Sequence, residues 1–341
     1  MSMHGAKKRP IDHIRDGAFV MNVGDAADAS PVMEFVPLGE RILIVKERSL
    51  WEVALADQID PDRTNAAIPH SQQRILARGT SDPLVGRILL QAKRLLDPDA
   101  LPSTCDPVAG LHASLAFLHE LATLQTEADD FRRLTEDLGR EFSVTALRRE
   151  GFSVPAIGNV NARGKAFVQS ADHAVRNLWQ LVCAFDRGLP EEVSWPKLKR
   201  RLEEGDDKAK ELARMADQFS PGFTLLRKTR NAVEHPKPGQ KVVFQDYRLK
   251  ADGRVYAPTI TVVEQDAPLS ETDIGDYHTW VIGFLVDAFE AWLVNLCALH
   301  VAPSGGFETV VIKLEPEMRR YPAVAFSYGS WIGDQLVPHC E

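Results

Sequence analysis

Helical apolar stripes run through residues 106–301 and restrict the fold of this chain more than any other feature. Leu111, Leu115, Leu118, Ala122, Leu124, Leu134 and Leu138 recur at helical intervals, so one long helix is predicted from Pro107 to about Phe142. A second, over 163–185, carries the stripe Phe167, Ala171, Ala174, Leu178, Val182 and Phe185. A short third follows Asp206. A fourth covers 221–234 with Pro221 at its N-terminal edge, where a proline sacrifices no helical hydrogen bond. The last helix, 272–300, bears Trp280, Phe284, Phe289, Trp292 and Leu296 and is expected to be the most buried element. Between the last two helices, the β-branched stretch 242–263 is split by Asp252-Gly253, a hairpin signal. The pattern predicts a mainly α protein: a helical bundle over 106–301 with a β-hairpin inserted at about 241–264.

The flanks differ in character. Residues 1–30 are rich in Gly, Ala and Asp without apolar periodicity and read as a flexible lead-in. Residues 31–105 read as mixed α/β, with a strand at Arg41 to Lys46, a candidate helix over 51–57 and a helix over 82–96 that stops ahead of Pro98. The tail, 302–341, is short and β-rich; its strand at 309–314 would pair with the hairpin or with the strand at Ile42 to Val45.

Composition narrows the classes. A formal charge of -8 excludes a broadly basic nucleic-acid coat, so any RNA contact must be a local patch. Cys105, Cys183, Cys297 and Cys340 are too far apart to suggest a zinc site or a redox dithiol, and no metal or cofactor is expected. The longest apolar run, 280–301, is interrupted by Asp287, Glu290 and Asn295, and the N-terminus has no apolar signal core. A cytoplasmic protein without a membrane span is the expectation.

The chemistry concentrates in Arg230-Asn231-Ala232-Val233-Glu234-His235, followed at once by Pro236. With 40 basic residues and 10 histidines in 341, about one basic residue five positions before a histidine arises by chance, and Lys8 with His13 is such a pair. The adjacent Asn and the place at a helix end make the Arg230 case more specific. On a regular helix, residues five apart point about 140° away from each other and cannot share a substrate. Pro236 disfavours the α conformation at His235, so the helix should end there and free the imidazole. Arg230 falls in the stripe Phe223, Leu226, Arg230, Val233, where a guanidinium must find an acceptor. It is then either a structural ion pair, with Glu234 four residues on, or a ligand held for an anion; His235 could equally be a C-terminal cap.

This hexapeptide, in the next-to-last helix of a bundle, resembles the signature of the HEPN superfamily (higher eukaryotes and prokaryotes nucleotide-binding). Its members carry an Arg, commonly followed by a polar residue, with a His four to six intervening residues later. The resemblance maps onto Arg230, Asn231 and His235 and covers the bundle, not the ends. It implies a metal-independent endoribonuclease, of the kind often found as a toxin or antiviral effector, acting as a homodimer with one composite site. Other members have lost catalysis and serve as nucleotide-binding, RNA-binding or dimerisation modules. In the active form His235 would move protons between the ribose 2′-hydroxyl and the leaving 5′-oxygen, Arg230 would clamp the phosphate, and Asn231 would orient it. One toxin branch carries, two positions after the His, a Tyr that an antitoxin modifies. Lys237 stands there here, so an antitoxin or regulatory partner has no support from that position, and the inserted hairpin is foreign to the minimal fold.

From Arg227 to Lys241 five basic residues face one acidic one, and Arg227, Lys228 and Lys237 are candidate RNA contacts. The basic run after Trp195 reads as solvated helix surface, because Glu203, Glu204, Asp206 and Asp207 follow directly.

Overall fold

Burial alternates along Val32–Leu38 and the β-branched run Arg41–Lys46 is almost wholly buried, and the two pair as neighbouring strands. The computed structural model describes residues 8–17, 20–25, 28–144, 153–303 and 305–339. They divide into two compact units: Met1–Gly86 with Pro316–Val324, and Arg87–Glu315 with Ala325–Glu341. With about 47% helix, 19% strand and several small sheets, the protein is mixed α/β.

The first unit is built on an antiparallel sheet of β1 (Val32–Leu38), β2 (Arg41–Lys46), β3 (Leu50–Ala54) and β4 (Ser71–Leu76), in that order. The helix expected over 51–57 is therefore mostly strand, and only Ala56–Ile59 makes a helical turn. Trp51 and Val53 alternate into a core cluster with Ile44, Met21 and Val23, and this period-two burial decides the conformation. The same cluster takes in Met21 and Val23 from the expected lead-in. Lys46 is buried and its ammonium donates to the carbonyls of Val23 (3.2 Å) and Asp28 (2.5 Å), the partners a buried charge requires. Residues 1–7, 18–19 and 26–27 of that lead-in lie outside the described residues.

Among the described residues the second unit holds four long helices and one shorter: α1 (Pro107–Val144), α2 (Val160–Cys183), the shorter α3 (Trp195–Glu203), α4 (Asp207–Glu234) and α5 (Ile274–His300). Phe117 of α1 stacks on Phe289 of α5 at 4.8 Å, Phe167 of α2 on His278 of α5 at 3.8 Å, and Trp195 of α3 on Phe223 of α4 at 4.4 Å. By length and composition α5 could cross a membrane, yet its Phe289, Trp292 and Leu293 are fully enclosed here by the bundle. It is not the most buried element. α2 and α5 each bury twelve residues and α2 is the shorter, while Trp280 of α5 is 40% exposed.

Two predicted helices merge into α4, with Pro221 inside it. Leu212, Ala213 and Ala216 before the proline and Phe223 and Leu226 after it are buried, so packing carries the helix through the missing hydrogen bond. The hairpin acquires a third strand: β5 (Lys241–Gln245), β6 (Thr259–Val263) and β7 (Leu269–Asp273) form one antiparallel sheet. Asp273 then caps α5, accepting from Gly275 N at 2.7 Å.

The tail strand β8 (Thr309–Lys313) pairs with β9 (Phe326–Ile332), not with the hairpin or with β2 as expected, and β9 pairs with β10 (Gln335–Pro338). Gln91 explains the arrangement. Its carboxamide accepts from Ala325 N and Phe326 N and donates to Phe326 O, each at 2.9 Å, so helix Gln91–Leu95 belongs with this sheet. The boundary expected at 105 therefore falls at Gly86.

Candidate functional site

The C-terminal end of α4 ends where Pro236 requires. His235 is the C-cap, with φ -133° and ψ 60°, and its N–H donates to Asn231 O at 2.8 Å. Its imidazole is consequently 71% exposed. One turn earlier Arg230 lies against the bundle, its Nη2 2.5 Å from Glu234 Oε2 and its Nε 3.6 Å from Asp172 Oδ2. Nη1 donates to Asn231 Oδ1 at 3.2 Å. The oxygen that Arg230 engages, Glu234 Oε2, is also 3.9 Å from His235 Nε2. Breaking the helix at His235 thus lets the arginine and the histidine reach one common point.

Asp172 is the site residue that local sequence reasoning missed. It is buried on α2, where its carboxylate also receives Arg176 at 2.8 Å, so one acidic group holds two guanidiniums. The available signal was an acidic residue beside the apolar stripe of α2, next to Ala171. From the same helix Gln169 Nε2 donates to Glu234 Oε1 at 3.1 Å and fixes the second carboxylate. Arg176 itself is half-exposed and lies one turn beyond Asp172 on the same helix.

The three candidate RNA contacts differ in what already engages them. Arg227 is exposed and spends one N–H on Val193 O at 2.9 Å. Lys237 is exposed in the loop beyond the helix. Lys228 is committed instead: Glu264 at 3.0 Å and Asp266 at 2.8 Å receive its ammonium, and hydrogen bonds to Asp266 and then Glu264 push it above the ordinary lysine range. The excess positive charge counted along the sequence is offset by carboxylates that folding brings in from elsewhere.

Beside Arg230 a cavity of about 530 Å³, which His235 does not line, opens between α2, α4 and the loop ahead of α3. Arg176, Arg227 and Arg230 line it together with Asp172, Glu191 and Glu192, and Trp195 and Phe223 supply apolar wall. Trp195, which opens the basic run of α3, is half-buried and packs among Trp179, Phe223 and Trp292. Among the described residues no group of three or more His, Cys, Asp or Glu side chains is placed to hold a metal ion. Comparison with protein-family models, with curated proteins and with solved structures gives no match to this chain.

Proposed function

We propose that this chain is a HEPN-like, metal-independent endoribonuclease of the cytoplasm, with half of its active site at the end of α4. The observation that carries the reading is the shared Glu234 oxygen, 2.5 Å from Arg230 and 3.9 Å from His235. A phosphate oxygen placed where that carboxylate oxygen sits would meet the guanidinium on one side and the imidazole on the other. RNA binding then consists of a phosphate replacing Glu234 on Arg230, with Asn231 beside it.

The reaction follows from the groups present. One neutral imidazole removes the proton of a ribose 2′-hydroxyl, and the 2′-oxygen attacks the adjacent phosphorus. The bond to the 5′-oxygen breaks and a protonated imidazole supplies its proton. Arg230 stabilises the charge that grows on the phosphate. One chain offers one His235, so a second copy supplies the other, as the composite site of a homodimer would. The products are a 2′,3′-cyclic phosphate and a 5′-hydroxyl. A toxin or defence role extends the same proposal, and it predicts growth arrest on overexpression that Arg230→Ala relieves; arrest that persists in Arg230→Ala contradicts it.

A second reading has its own observation. Arg230 directs its nitrogens at Glu234, Asp172 and Asn231, as expected of a catalytically silent nucleotide-binding or dimerisation module in which the motif is structural. RNA that is bound but left intact, with end groups unchanged, would favour it.

A further inference from the structure

We propose that the cavity beside Arg230 is a guanine-selective subsite for the nucleotide next to the phosphate held by Arg230. The assignment deepens the endoribonuclease reading and rests on it for the position of the phosphate, but the cavity's affinity for a nucleotide can be measured independently.

Its volume, about 530 Å³, lies within the range of small-molecule sites, about 300–1,000 Å³. The charges lining it differ in what they are already doing. Asp172 already serves the arginines, its Oδ2 2.8 Å from Arg176 Nη2 and 3.6 Å from Arg230 Nε. Arg227 has given one N–H to Val193 O and keeps the rest of its donor fork. Glu191 and Glu192 are exposed, and among the described residues neither is in an ion pair. The cavity therefore offers guanidinium donors at the Arg230 end and two uncommitted carboxylates on the loop.

That loop is held in place from both sides. Trp179 Nε1 donates to Pro190 O at 2.9 Å from α2, and Arg227 Nη1 donates to Val193 O at 2.9 Å from α4. Glu191 and Glu192 lie between these two anchors, so their backbone is positioned before any ligand arrives.

Carboxylates select among bases by donor count. Guanine presents N1–H and the N2 amino group side by side on its Watson–Crick edge, two donors that one carboxylate can accept together. Adenine and cytosine present a single amino group beside ring acceptors, and uracil a single N–H between two carbonyls, so each sets a lone pair against a carboxylate oxygen. A base edge directed at Glu191 and Glu192, with its phosphate toward Arg227 and Arg230, satisfies both ends of the cavity only when the base is guanine.

The test is calorimetric titration of the full chain with guanosine 3′- and 5′-monophosphate and with the adenosine, cytidine and uridine counterparts. A guanosine nucleotide should bind at least about tenfold more tightly than the others, the value of one charged hydrogen bond. The double variant Glu191→Gln with Glu192→Gln should lose that preference while still binding nucleotides, and Arg227→Ala should weaken all of them about tenfold. Equal affinity for the four bases, or no binding by any, overturns the subsite. RNA cleavage read separately keeps the two proposals apart: cleavage without base preference removes only the subsite, and guanosine nucleotide binding without cleavage removes only the ribonuclease.

Discussion

Arg230 Nη2 and Glu234 Oε2 are 2.5 Å apart, one helical turn along α4, on side chains that are each about a quarter exposed. An ion pair of this kind, four residues apart on a helix, contributes only about 0.3–0.5 kcal/mol. The pair therefore holds the guanidinium in place without preventing a phosphate from taking it over. Glu234→Gln should shift the unfolding free energy by no more than about 0.5 kcal/mol in urea denaturation. It should also strengthen RNA binding, because the competing charge is gone; weaker RNA binding by this variant would show that Glu234 serves the RNA site.

Asp172 should behave differently. Its carboxylate is buried and serves both Arg176 and Arg230, so its removal leaves partly desolvated guanidinium without an acceptor. Asp172→Ala is expected to cost about 1–3 kcal/mol. A urea midpoint equal to that of the unaltered protein would mean that Arg230 is held by Glu234 alone.

His278 sets an acid limit on the fold. Burial, with a smaller push from the Arg163 charge, lowers its pKa to about 3, against about 6.5 in the unfolded chain. As pH falls the unfolded state takes up the proton first, so stability is intact above about 6.5 and is lost progressively toward 3. The slope from this one group reaches about 1.4 kcal/mol per pH unit. Burial shifts His119 and His300 in the same direction. Between pH 7 and pH 5, His278→Leu should lose less stability than the unaltered protein; an equal loss would place the acid sensitivity elsewhere.

What could be read from the sequence follows the range over which each feature is determined. His235 ends its helix because its own neighbour is Pro236, and Asp252-Gly253 marks its turn with Gly253 at φ 77°. Both are local, and both were legible. Asp172, Glu264 and Asp266 join the site region from other elements, and a count of charges along the chain cannot include them. Strand β3 was concealed because Leu50 and Trp51 are both buried, so its alternation is incomplete. Pro221 misled in the opposite way, since a reliable local rule for helix starts was overridden by packing on both sides of it.

Pro221 accordingly yields a test of the single long helix. An interior proline costs about 3 kcal/mol relative to alanine, whereas a proline at a helix start costs little. Pro221→Ala is expected to raise stability by about 1–3 kcal/mol, read as a higher urea midpoint. A neutral or lowered midpoint would indicate two helices meeting at residue 221.

The most direct test of the ribonuclease assignment is incubation of purified protein with RNA in EDTA, followed by analysis of fragment ends. Cleavage is expected without added metal, leaving 2′,3′-cyclic phosphate and 5′-hydroxyl termini. Loss of general acid–base catalysis in His235→Ala should slow it by about 10²–10⁴-fold, with Arg230→Ala similarly impaired. Intact RNA, or cleavage that continues at the same rate in His235→Ala, would contradict the assignment.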